Sequence, residues 1–315
     1  MSLAMWALLR TALLLLAAAP AQAHAPASLG DDHVHLPWIW NSDPVVLVPV
    51  LTLSLLYGIG IVRLWSRAGA GHGVAVWRAL ACAIGLAALF AALVSPLDAA
   101  AEASFALHMA QHMLLAVVAA PLIVLGNCGV VALTALPGGL RVPLGRALAS
   151  APLRRVRAWL FAVPVATAAH GLILWLWHAP RLYEAALADP LIHYLEHLSM
   201  FGTAVVFWWS ACGAGRRALL GYGAAVGALF LTMLHTGLLG ILITLAPAPL
   251  YPSYAAATPW LGLAPLEDQQ LAGIVMLIPG GLAYLLGGLA LLATWLAAAE
   301  ARTPAAGPRA ADWHP

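Results

Sequence analysis

Apolar residues run through this chain in blocks too long for the core of a soluble domain. After residue 43 the blocks fall at about 44–65, 74–95, 104–127, 157–177, 193–211, 220–246 and 269–297. Each approaches or exceeds the ~20 residues a helix needs to cross the hydrocarbon layer. Only helices of this kind satisfy their own backbone groups in lipid without closing into a barrel. The pattern predicts an all-α polytopic bundle of seven transmembrane helices, a membrane domain over 44–298. No polar stretch is long enough to form a separate soluble module.

The first residues read differently. "MSLAMWALLRTALLLLAAAPAQA" places Arg10 ahead of a short apolar core and ends in Ala21-Gln22-Ala23. This is the layout of a secretory signal with a small-residue cleavage site. The expectation is a signal peptide over 1–23, then an outer segment over 24–43; an uncleaved first helix is the alternative. Residues 299–315 form a tail.

Composition agrees with the pattern: 63% of the 315 residues are hydrophobic and 8% are charged, against about 25% charged in ordinary soluble domains. All the basic residues are arginine. Arg63, Arg67, Arg78, Arg141, Arg146, Arg154, Arg155, Arg157, Arg216, Arg217, Arg302 and Arg309 fall in alternate connections or the tail. The positive-inside rule assigns these to the cytoplasm of a bacterial cell. Asp31, Asp32, Asp43, Asp98, Glu102, Glu184, Asp189, Glu267 and Asp268 then lie outside. The basic stretch 137–157 reads first as this topology signal and second as a surface for anionic lipid. With no basic tail and no phosphate-binding glycine loop, nucleic acid and nucleotides are excluded as partners. Cys82, Cys128 and Cys212 lack a paired spacing and read as reduced thiols.

Candidate chemistry rests on histidine. Ten of the twelve fall on the outer side or in outer-half positions. His108 and His112 begin the third span, and His193 and His197 begin the fifth. Each pair is four residues apart, hence on one helix face. His170 and His178 lie toward the outer end of the fourth span, and His235 sits in the sixth. At ~1.5 Å per residue, His112, His170 and His235 would lie ~10, ~11 and ~16 Å deep, a shared layer beneath a shallower one of His108, His178, His193 and His197. Met113 and Met276 are the thioethers at similar depth. Imidazole with thioether favours copper, and ionisable groups inside a membrane mark functional sites by default. Glu196 and Asp268 are the carboxylates placed to orient ligating imidazoles, although Asp268, opening a helix, reads first as an N-cap. The loop 247–268 reads as an ordered cap over the outer mouth, with Tyr251, Tyr254 and Trp260 in the headgroup layer. Gly280, Gly281, Gly287 and Gly288 predict close helix approach, and Pro279 predicts a bend.

The stretches "HMAQHMLL", "APLIVLG", "WHAPRLYEAAL", "HYLEHLSM", "HTGLLG", "APLYPSY" and "DQQLAGIVM", in this order between about 105 and 281, resemble the multi-span CtaG-type cytochrome c oxidase assembly factors. Asn127-Cys128 after "LIVLG" and Leu277 after Met276 depart from the family pattern. The resemblance implies a non-enzymatic role in maturing a haem-copper oxidase, with its copper-bearing catalytic subunit as partner. It points to His108, His112, His178, His193, Glu196, His197, His235 and Asp268 as the polar positions. The residues themselves leave two other readings open. One is a haem-binding redox protein with His112 and His235 as axial ligands. The other is a transporter, for which deep carboxylates are lacking.

Overall fold

A computed structural model describes residues 39–214, 219–256 and 262–301. The expected signal peptide, His24, His33, His35, Trp260 and His314 lie outside the described residues. Within them the chain is entirely helical. We number the helices α1 (Pro44–Ala68), α2 (Val76–Leu93), α3 (Pro96–Ala103), α4 (Phe105–Leu125), α5 (Cys128–Ala135), α6 (Gly138–Ala149), α7 (Ala151–Leu160), α8 (Val163–Trp177), α9 (Pro180–Ala188), α10 (Pro190–Ala214), α11 (Leu219–Thr244) and α12 (Pro265–Glu300).

Five helices, α1, α2, α4, α11 and α12, are long and apolar enough to cross a membrane, and α7 with α8 make a sixth if that pair, bent by 64°, is one span. The sequence predicts seven. The difference lies in α10, whose 25 residues suffice in length but include His193, Glu196 and His197. Short helices α3, α5 and α9 join the spans. Together they account for much of what the sequence left as connections.

Helix α4 occupies the middle of the bundle, and most of its apolar stretch is buried. Its course is broken by a π turn at Leu114–Ala119. There the N–H of Ala120 bonds back five residues to Leu115 O. The next such bond, to Ala116 O, would need an N–H from residue 121, which is a proline. Trp208 Nε1 of α10 donates to Ala116 O instead, at 3.0 Å. The π turn and the tryptophan are two halves of one solution to Pro121. A second π turn, Met276–Gly280, contains Pro279; the bend expected at that proline is taken up by widening the helix.

Close helix approach depends on glycine, though less on the last-span glycines than expected. A Cβ on Gly273 would lie 2.1 Å from Thr244 Oγ1 and 2.5 Å from Gly240 O, so α11 and α12 meet backbone to backbone here. Among the four predicted glycines, Gly287 faces the Trp208 ring, whereas nothing lies within 4 Å of a Cβ on Gly281.

Candidate metal centre

Two helix starts deliver the site. Helix α4 carries His108 and His112 on its first turns, and α10 carries His193, Glu196 and His197 on its own. All five point to the same end of the bundle. The imidazoles converge: His108 Nε2 and His112 Nε2 are 3.0 Å apart, and His193 Nε2 and His197 Nε2 are 3.2 Å apart. The two pairs also face each other. His108 stacks on His193 with ring centroids at 5.6 Å, and His112 meets His197 edge-on at 5.3 Å. His108, His112, Glu196 and His197 each offer a ligand atom, and these four atoms lie within 4.8 Å of one another.

Glu196 is the chemically decisive member. Its side chain is 0% exposed, and neither carboxylate oxygen has a hydrogen-bond partner. His108 Nε2 lies 3.9 Å and His112 Nε2 3.8 Å from its oxygens. A buried carboxylate is costly unless paired, hydrogen-bonded or coordinated to a cation. The sequence assigns Glu196 a supporting role outside the ligands; in the structure its carboxylate stands within 4.8 Å of the ligand atoms that His108, His112 and His197 offer.

The surroundings fix which imidazole nitrogens are bare. His178, at the end of α8, places Nδ1 2.6 Å from Leu174 O. A carbonyl only accepts, so Nδ1 carries the proton and Nε2, 3.3 Å from Met109 Sδ, has a free lone pair. Tyr254 Oη donates to Ala101 O at 3.1 Å and lies 3.0 Å from His108 Nδ1. A phenol has one proton, so His108 Nδ1–H donates to Tyr254 Oη and His108 Nε2 faces the cluster unprotonated. This is the arrangement in which a partner on one ring nitrogen prepares the other as a ligand. Burial pushes the Tyr254 phenol up, so it keeps its proton.

An aromatic lid closes over these groups. Phe105, Tyr183, Tyr251 and Tyr254 pack ring against ring, with centroids 4.5 Å apart for Phe105–Tyr251 and 4.4 Å for Tyr183–Tyr251. Tyr251 Oη donates to His178 O at 2.9 Å. The cap expected over 247–268 is present in its described part, where Tyr251 and Tyr254 turn into the protein and are 2% and 3% exposed. Their alternation in a Pro-rich loop resembles an interfacial belt, and only the partners Phe105 and Tyr183, distant in sequence, draw them inward.

Asp268 lies outside the four-residue group. Its carboxylate accepts from Ser104 Oγ at 2.7 Å, Phe105 N at 2.7 Å and Ala106 N at 3.3 Å. It therefore caps α4, a helix 163 residues away. The capping chemistry was legible in the sequence, but the capped helix was not.

His170, His235, Met113 and Met276 stand outside the four-ligand group. His170 Nε2 pairs with Tyr284 Oη at 3.1 Å and Nδ1 with Thr203 Oγ1 at 3.3 Å, so both its nitrogens are engaged. His235, on α11, lies against α8, its Nε2 3.2 Å from where a Cβ on Gly171 would stand. His170 and His235 thus contribute no atom to the group that includes His112. His112 joins the outer pair because residues four apart bring their ring ends together despite a ~6 Å difference in rise. His112 and His235, the two sides a haem would need, belong to different groups of contacts. Met113 and Met276 are part of the apolar core, where Met113 Sδ fills the space left by Gly280.

A small cavity of about 20 Å³ adjoins the cluster, lined by Asn41, Asp98, Glu102, His193, Tyr194 and His197 among others. Asp98 is held there by Asn41 Nδ2 at 2.8 Å and Gln111 Nε2 at 2.7 Å. The cavity beside the cluster is accordingly lined with carboxylates and imidazole.

The fold and site define a polytopic helical membrane protein with a buried, one-ended cluster of histidines around a carboxylate. Residues 55–298 match the model of the cytochrome c oxidase caa3 assembly factor family (Caa3_CtaG), and the chain belongs to that family. The resemblance carried by the sequence motifs is borne out. Similar curated proteins include an uncharacterized protein of Mycobacterium leprae, 29% identical over 272 residues, covering 82% of this chain and 39% of the relative. An uncharacterized protein of Mycobacterium bovis is 28% identical over 246 residues, covering 75% of this chain and 36% of the relative. The chain therefore spans well under half the length of these relatives. No solved structure matches significantly.

Proposed function

We propose that this protein assists the maturation of a haem-copper oxidase by holding a copper ion, as cargo, at the cluster of His108, His112, His197 and Glu196, with His193 and His178 as flanking imidazoles. The observation that carries this reading is the unpartnered, fully buried Glu196 carboxylate facing two imidazole nitrogens. Ligands ~2.0 Å from a common ion lie about 3 Å apart, which is the spacing of the two Nε2 atoms of α4. Imidazole nitrogen suits copper, and the affinity order of divalent first-row metals peaks there.

The chain's own residues do three things toward such an ion. Tyr254 and Leu174 O hold the protons of His108 and His178 on Nδ1, so their Nε2 lone pairs are available. Glu196 supplies the negative charge that offsets the cation. The Phe105–Tyr183–Tyr251–Tyr254 lid excludes water on one side and leaves the Asp98–Glu102 cavity on the other. A nitrogen–oxygen donor set of this kind releases its ion more readily than a closed thiolate cage, as delivery to the oxidase subunit requires.

The test is metal analysis of the purified protein, stripped with chelator and titrated with copper. One ion per chain in the wild type, lost on His112→Ala and Glu196→Gln, supports the reading. Wild-type copper retention no greater than that of either variant overturns it.

A further inference from the structure

A second polar site lies at the opposite end of α1 from the histidines. A cavity of about 240 Å³ there is lined by Arg63, Arg67, Arg141, Thr134, Pro137 and Gly138, among others. This is several times a water's ~30 Å³ share of the liquid. Arg63 and Arg67 are four apart on the last turns of α1 and so share a face. Arg63 Nη1 donates to Thr134 O at 3.2 Å and also to Ala135 O, which anchors one of the guanidinium's five N–H groups and positions the rest. The third guanidinium, Arg141, is supplied by α6.

Three further observations give the cavity a chemical sense. First, residues 44–97 and 103–183 contain no Asp or Glu, so every element lining it lacks a carboxylate to answer three cations. Second, α6 begins at the cavity without a side-chain cap. The first N–H groups to find helical partners are those of Leu140 and Arg141, both on Pro137 O. The N–H groups of Gly138 and Gly139 precede them, and neither glycine has any atom within 4 Å of where its Cβ would be. Third, α6 and α7 bury no residue in the bundle. They leave Val142, Leu144, Leu153, Val156 and Trp159 exposed beside the arginines. Apolar side chains interleaved with arginine on helices that bury no residue suit a lipid boundary.

We propose that this cavity binds the phosphate of an anionic phospholipid, held by Arg63, Arg67 and Arg141. Guanidinium forks match phosphate oxygens in pairs, and Gly138, at the uncapped start of α6, lines the same cavity. The exposed apolar residues of α6 and α7 run beside its acyl chains. The site is independent of the copper reading: it uses none of the same residues and lies ~30 Å along α1 from the histidine end.

Native mass spectrometry of the detergent-purified full chain, titrated separately with phosphatidylglycerol and phosphatidylcholine, tests this. The wild type should retain phosphatidylglycerol roughly tenfold more tightly. Arg67→Gln with Arg141→Gln should erase that preference, and Arg141→Gln alone, on a helix with no buried residue, should reduce it without disturbing the fold. Arg154→Gln with Arg155→Gln removes the same charge from α7 and should leave the preference largely in place. Equal retention of the two lipids by the wild type, or equal loss in the two double variants, would overturn the site. Displacement of lipid by millimolar inorganic phosphate that is itself retained would assign the cavity to a free anion and overturn the lipid.

Discussion

The carboxylate of Asp268 caps the helix that begins at Phe105, accepting the Phe105 N–H at 2.7 Å. One residue of the last span therefore fixes the first turn of the helix that carries His108 and His112. Asp268→Ala leaves two backbone donors and Ser104 Oγ without this acceptor in a buried setting. Loss of an N-cap costs about 1 kcal/mol and an orphaned buried donor about 1–3 kcal/mol. We expect a lower unfolding temperature and weaker metal retention together, with Asp268→Asn recovering part of both in a thermal-shift series.

Glu196→Gln should separate stability from binding. Removing a buried charge that has no hydrogen-bond partner relieves a desolvation cost, so the metal-free variant should unfold at the same or a higher temperature. Its metal affinity should fall by at least about tenfold, the lower end for loss of a group that supports a metal site. Competition against a chelator of known affinity measures the second effect, and a drop in both quantities would show that Glu196 is bonded in some other way.

Tyr254→Phe deletes one oxygen and keeps the ring in the lid. His108 Nδ1 then loses its acceptor, and nothing favours the tautomer that leaves Nε2 bare. A fall of about tenfold in metal affinity is expected, with thermal stability lowered by about 1 kcal/mol. If affinity is unchanged, the His108 tautomer is set elsewhere.

His170 and His112 should behave oppositely. His170→Ala removes the partner of Tyr284 and Thr203 and empties a packed site against Phe207, so unfolding should shift by a few kcal/mol with bound metal retained. His112→Ala should abolish retention with a smaller shift. Paired metal analysis and calorimetry distinguish them.

Trp208→Phe isolates the π turn of α4. The ring volume is largely kept, but Ala116 O loses its donor, and Pro121 cannot supply another. A destabilisation of about 1–3 kcal/mol follows from leaving that carbonyl unpaired, readable as a lowered unfolding temperature.

Much of the site was legible in the sequence because helix spacing is short-range information. His108 with His112, and His193 with His197, follow from four-residue periodicity alone, and their shared end of the bundle follows from counting spans. What periodicity cannot give is the rotation of one helix against another. That is why it could not show that Glu196 stands within reach of the same imidazoles, that Tyr284 and Thr203 engage both nitrogens of His170, or that Met113 and Met276 lie in the apolar core. The aromatic lid was missed for a related reason: Tyr183 and Tyr254 meet across 71 residues, and no local pattern distinguishes a tyrosine turned inward from one at a headgroup. The π turn of α4 had a local signal in Pro121, but its remedy, Trp208, is 92 residues from the carbonyl it serves.

The Asp268 contact also orders events in time. A ribosome delivers residue 105 long before residue 268, so every partially synthesised chain presents the α4 histidines on a helix whose leading end is still untied. The binding pocket is finished only when the final span has entered the bilayer, and a product truncated ahead of that point would hold every imidazole of the cluster and still lack the carboxylate that fastens the first turn beneath two of them.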